Sequence, residues 1–231
     1  MWAVMRGHWQ LLGLIAAIAL LWQTPVLVPL RILVVFLHEL AHAVTVLLTG
    51  GEVLSLTITP REGGQVMARG GNRFLALSAG YTGSLLIGAA LFTLAVHTGR
   101  DRAVLGALGL VMLAVAALYV RDGFALIFSV AAGGLMVLTA RFLPRDLNDL
   151  ILRVIGLSSM IYAPLDIYSD TIARSQLRSD ARMLAEEFGG PTVLWGGIWL
   201  IISLGVIALT LRYGLGRNSN ITLRGPTLFK R

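Results

Sequence analysis

His38, Glu39 and His42 stand in the order His-Glu-Leu-Ala-His inside an apolar stretch that runs from Ile32 to Leu48. On a helix, residues four apart lie about 40° apart around the axis and one turn apart along it, so both imidazoles can reach one Zn²⁺ ion. Glu39 is rotated about 100° from His38, beside such an ion rather than on it, where a carboxylate can take a proton from water. An acid deep in an apolar segment costs about 3 kcal/mol on insertion scales, and a bound cation offsets that penalty.

A catalytic zinc takes three protein ligands and leaves one position open, so a further His, Asp or Glu is required. Asp166 lies in the apolar run from Met160 to Ile167, just after Pro164, whose ring loosens a helix and can turn a side chain inward. Asp166 is therefore the expected third ligand, with Asp170 one turn later as its rival. His8 beside Trp9, and His97 at the end of an apolar run, read as interfacial residues. The chain has no Cys, which removes thiolate ligands, disulfides and a cysteine nucleophile. Neither Gly-x-Ser-Gly nor Gly-x-Gly-Asp occurs, so serine and paired-aspartate intramembrane chemistries lack their motifs.

The elements that carry these residues belong to a membrane. Of 231 residues only 13% are charged and 56% are hydrophobic, whereas soluble domains carry about 25% charged residues. No charged side chain lies between Arg73 and His97 or between Glu187 and Arg212, and either run exceeds the roughly 20 apolar residues that cross a bilayer. Seven spans are expected at 9–28, 30–49, 74–97, 103–120, 123–141, 149–170 and 192–212, with six as the alternative count. Alternating β-like residues around a Pro60–Gly64 turn predict a short hairpin at 53–69. The spacing of Ala173, Leu177, Ala181, Leu184 and Phe188 predicts an interfacial amphipathic helix. Gly80, Ser84 and Gly88, four apart, predict close helix packing. The expected fold is an all-α polytopic bundle of six to seven transmembrane helices, forming one membrane domain, with a basic tail at 213–231 suited to lipid headgroups. The net charge of +7 is scattered along the chain rather than grouped with aromatics, which argues against a nucleic-acid partner.

The run from Pro29 to Gly51, with His-Glu-Leu-Ala-His followed by Thr49, Gly50 and Gly51, resembles the site-2 protease group of intramembrane zinc metalloproteases, especially its small bacterial and plant branch. The stretch Ser78 to Ser84 is similar to that branch's alanine-glycine motif. Leu165-Asp166 is similar to the leucine-aspartate pair that supplies the family's third ligand, with Ile167 where a Gly is usual. Ser179-Asp180-Ala181, Trp195 and Trp199 also resemble the branch, so the likeness extends over residues 29–205. The resemblance implies Zn²⁺ as cofactor, a transmembrane protein or peptide as substrate, and a hairpin lying beside the site where a substrate strand could add. It also implies a multi-pass protein of a bacterial cell membrane, in contact with lipid; whether the chain forms a homo-oligomer is left open.

Two other readings compete. A non-proteolytic membrane protein would keep the metal for structure, with a fourth protein ligand, or bind a partner. A transporter would carry ionisable groups at staggered depths on several spans, and the chain offers few.

Overall fold

In the computed structural model, residues 2–216 and 218–221 are described, with side chains from Arg6 onward. Helix α1 (Trp2–Leu21) is kinked at His8 and is followed by a 3-10 turn, Pro25–Leu27, which leads directly into α2 (Val28–Leu48). A two-stranded antiparallel hairpin follows, β1 (Glu52–Ile58) and β2 (Gly64–Arg69), with a bulge between Val53 and Ser55. Helices α3 (Arg73–His97), α4 (Asp101–Tyr119), α5 (Gly123–Phe142) and α6 (Arg145–Tyr168) come next. A π-helical turn, Ser169–Ala173, extends α6 before α7 (Asp180–Phe188) and α8 (Thr192–Gly214).

Of the described residues 77% are helical, and six of the described helical segments are long and apolar enough to cross a membrane: Pro25–Leu48, Arg73–His97, Asp101–Tyr119, Gly123–Phe142, Arg145–Ala173 and Thr192–Gly214. Within the expected span at 9–28, α1 ends at Leu21 and the chain passes through the Pro25–Leu27 turn into α2, which has Pro29 in its first turn. The amphipathic helix expected from residue 173 begins only at Asp180, since the Ser179 side chain accepts from the Arg182 amide and so caps a new helix start. Of the tail's bases, Arg217, Arg224, Lys230 and Arg231 lie outside the described residues.

Sequence chemistry at the end of α2 sets up the rest. Gly50, at φ +81°, takes the left-handed conformation that closes a helix, and Gly51 N–H returns to the Val46 carbonyl at 2.9 Å. Asn72 caps α3 through the Leu75 amide at 3.0 Å, and its own N–H donates to Thr49 Oγ1 at 2.9 Å. These bonds tie the end of α2 to the start of α3. Small residues then allow close approach: a Cβ on Gly83 would stand 2.4 Å from the Ala41 Cβ. The predicted small-residue stripe serves two neighbours. Gly80 faces α2, while Gly88 faces α6, where a Cβ would stand 2.6 Å from that of Ser159.

The hairpin doubles back along α2 rather than projecting away from it. Val53, Leu56 and Ile58 of β1 are buried in the main core, whereas β2 is largely exposed and pairs only with β1. At the hairpin turn, Glu62 Oε1 meets Arg31 Nη2 at 2.9 Å.

Candidate metal centre

Residue 38 lies ten residues into α2, and Gly80 lies seven residues into α3. At 1.5 Å per residue these positions are about 15 Å and about 10 Å from the respective helix starts, well inside the spanning segments. The two imidazoles lie edge to face, with centroids 4.8 Å apart at 70°. His42 Nδ1–H donates to the Ala76 carbonyl of α3 at 2.7 Å, which turns its Nε2 lone pair inward. Gly80 passes directly over both rings: a Cβ there would be 2.2 Å from His38 Nε2 and 2.6 Å from His42 Nε2. Only a glycine leaves room for those donors at this crossing.

The carboxylate that meets the rings is Asp180. Its Oδ2 stands 3.1 Å from His38 Nε2 and 3.1 Å from His42 Nε2, and the three side chains are only 10–13% exposed. Asp180 is the first residue of α7, where the helix dipole favours a negative charge. Burial alone would raise its carboxyl, but His42 and His38 outweigh that effect and hold it well below the usual carboxylate range. It is ionised at neutral pH.

Helix α7 reaches the site because its apolar face docks against α3 and α8. Ala181 and Leu184 are fully buried in a cluster with Leu77, Tyr81, Ile167 and Trp199. Phe74 lies edge-on to both Phe188 and Trp195, and Trp195 Nε1 donates to the Gly189 carbonyl at 3.0 Å. Arg73 adds an exposed ion pair to Glu187 at 3.0 Å, of the kind that contributes only about 0–1 kcal/mol.

Among the described residues, His38, His42 and Asp180 are the one group of three side chains placed to share an ion, their donor atoms all within 4.8 Å of one another. Two imidazole nitrogens and a carboxylate oxygen are a donor set typical of catalytic zinc, and 3.1 Å between donors is near the roughly 3.3 Å that tetrahedral bonds of about 2.0 Å impose. The residues present fit the metal.

Asp166, the expected third ligand, is not in that group; it lies beside Tyr162 and Asp170. Asp170, its rival, accepts from the Tyr81 hydroxyl at 2.6 Å. His8 pairs with Ser219 and His97 with the carbonyl of Thr93 in its own helix, so neither reaches the centre. Glu39 is buried beside the imidazoles and outside the donor group. Across it lies the start of β2: a Cβ on Gly64 would stand 2.3 Å from Glu39 Oε1. In the sequence Asp180 stands out only within the Ser179-Asp180-Ala181 stretch that resembles the family branch, and not as a ligand, because it sits in a polar segment rather than an apolar run. A second signal was Ser179, a helix-capping residue directly before it.

A bundle of membrane-crossing helices holding a His-His-Asp donor set around an adjacent glutamate defines a class, the membrane metallopeptidases. The family model described as Peptidase M50B-like matches residues 11–210, and the chain belongs to that family, within the site-2 protease group that its motifs resemble. The family is zinc-dependent in general. No curated protein and no solved structure matches the chain.

Proposed function

We propose that the protein is a zinc endopeptidase that cleaves a membrane-embedded protein segment, with His38, His42 and Asp180 as ligands and Glu39 as base. The observation that carries this reading is the three-donor group with a separate buried carboxylate beside it. A purely structural zinc takes four protein ligands, and this group has three members among the described residues.

Zinc, when bound, supplies Lewis acidity to the attacking water and to the scissile carbonyl. Glu39 accepts a proton as the water oxygen bonds to the carbonyl carbon, and returns it to the nitrogen as the C–N bond breaks. The Ala76 carbonyl keeps His42 in the tautomer whose Nε2 is free to ligate. The open edge of β2 offers backbone groups to an extended chain, and its first residue lies against Glu39. An unwound substrate segment added along that edge exposes its carbonyl carbons to the attacking water beside that base, which a helical segment cannot do.

The test is made on purified protein in detergent with a fluorogenic transmembrane peptide. Expected results are one bound zinc per chain, loss of cleavage on chelation and recovery on zinc return. Glu39→Gln keeps the metal and lowers turnover by about a hundredfold or more; undiminished cleavage by that variant removes Glu39 as base. Gly64→Ala pushes first on the Glu39 carboxylate, whose atoms are the three nearest to the added carbon. It keeps zinc and lowers turnover by about tenfold or more, and a parallel loss of zinc would show that the hairpin supports the ligands instead.

A further inference from the structure

The ring of His42 is oriented by the Ala76 carbonyl. The hydrogen bond described for His38 runs through Nε2 to Asp180, the same atom that faces the metal position. The rotation of the His38 ring has to be set by what packs against it.

Besides His42, the ring packed against it is Tyr81, which is 1% exposed and stands edge-on to His38, with centroids 5.0 Å apart at 86°. Its other side rests on Trp199 at 5.0 Å. The hydroxyl donates to Asp170 Oδ2 at 2.6 Å, a short bond of the charge-assisted kind. The second oxygen of Asp170 accepts from Arg174 Nη2 at 2.9 Å, and Arg174 Nε donates to Ser169 Oγ at 2.9 Å. The backbone is shaped to the same end. The π-helical turn closes with Arg174 N–H on the Ser169 carbonyl at 2.8 Å, and such turns recur at functional sites because they re-aim side chains. Thr171 holds the turn through the Ile167 carbonyl at 2.6 Å, and Gly196 of α8 packs closely against Thr171.

We propose that Tyr81 and Asp170 are positioning residues for His38: Asp170, anchored by Arg174, pins the Tyr81 hydroxyl, and the pinned ring holds the imidazole in the orientation that receives the metal. This rests on the reading of His38 as a ligand. It gives the second acid of the α6 end a role away from the metal. Partners that orient a ligand typically contribute 10-fold to 100-fold in metal affinity.

The experiment measures zinc affinity by chelator competition in the full-length protein, with the melting temperature of the metal-free form measured in parallel. Tyr81→Phe keeps the ring and loses the bond to Asp170, and Asp170→Asn keeps the shape and loses the charge. Each is expected to weaken zinc about tenfold, with little change in the metal-free melting temperature. The double variant is expected to lose no more than the worse single one, because both act through one bond. Wild-type affinity in Tyr81→Phe overturns the proposal. So do fully additive losses in the double variant, or losses that track a fall in metal-free stability, since these describe packing alone. His38→Ala separates the two readings. If it leaves zinc binding unchanged, the ligand assignment fails and the proposal with it; if it abolishes binding while Tyr81→Phe is silent, the positioning role alone fails.

Discussion

Asp180→Asn lowers zinc affinity by about a thousandfold and takes cleavage to background, while Asp166→Asn stays within about threefold of the wild type for zinc. The first effect exceeds the 10-fold to 100-fold typical of an orienting partner because a charged donor is lost from a set of three. Asp180 Oδ2 stands 3.1 Å from both Nε2 atoms, whereas Asp166 is outside the donor group. An amide at residue 180 retains an oxygen but neither the charge that the two imidazoles stabilise nor comparable affinity for a divalent cation. The fold survives the change, because α7 is docked by Ala181, Leu184 and the aromatic contacts around Phe74 rather than by Asp180. Far-ultraviolet circular dichroism and chelator competition on both variants make the comparison. Retained affinity in Asp180→Asn with loss in Asp166→Asn would support the ligand set expected from the sequence and remove Asp180 from it.

Gly80→Ala is expected to be as severe, although it adds a single methyl group. That carbon would stand 2.2 Å from His38 Nε2 and 2.6 Å from His42 Nε2, so both imidazoles must move. The helices cannot easily part, since Gly83 presses on Ala41 one turn further along α3. Zinc content falls to background and cleavage with it. Gly134→Ala, on α5 with open space around it, serves as the control; it keeps zinc and turnover and gains a little stability from helix propensity, up to about 1 kcal/mol. A Gly80→Ala protein with full zinc and full turnover would falsify the close crossing of α2 and α3.

Much of this protein is legible along the chain. The membrane class follows from long uncharged runs, and the His38-Glu39-His42 pattern needs only the helix period to place two imidazoles on one face. The hairpin was readable from its alternation and turn residues because strand pairing across a short turn is local. The end of α2 was readable from Gly50 and Gly51 for the same reason.

The third donor was not local. Asp166 and Asp180 are fourteen positions apart in the sequence, and no periodicity tells which of them returns to His38 and His42. That choice was made by a capped helix start at Ser179, by a π-helical turn that re-aims Asp170 toward Tyr81, and by aromatic contacts that press α7 onto α3 and α8. The first apolar stretch is divided in a similar way, with α1 ending at Leu21 and a 3-10 turn at Pro25–Leu27 leading into α2. Residues on one helix share a face because the backbone repeats every 3.6 residues, and that geometry can be read from order alone. Residues on different helices meet only through packing, which depends on every side chain between them, so the acid that joins His38 and His42 emerged only once the chain had folded.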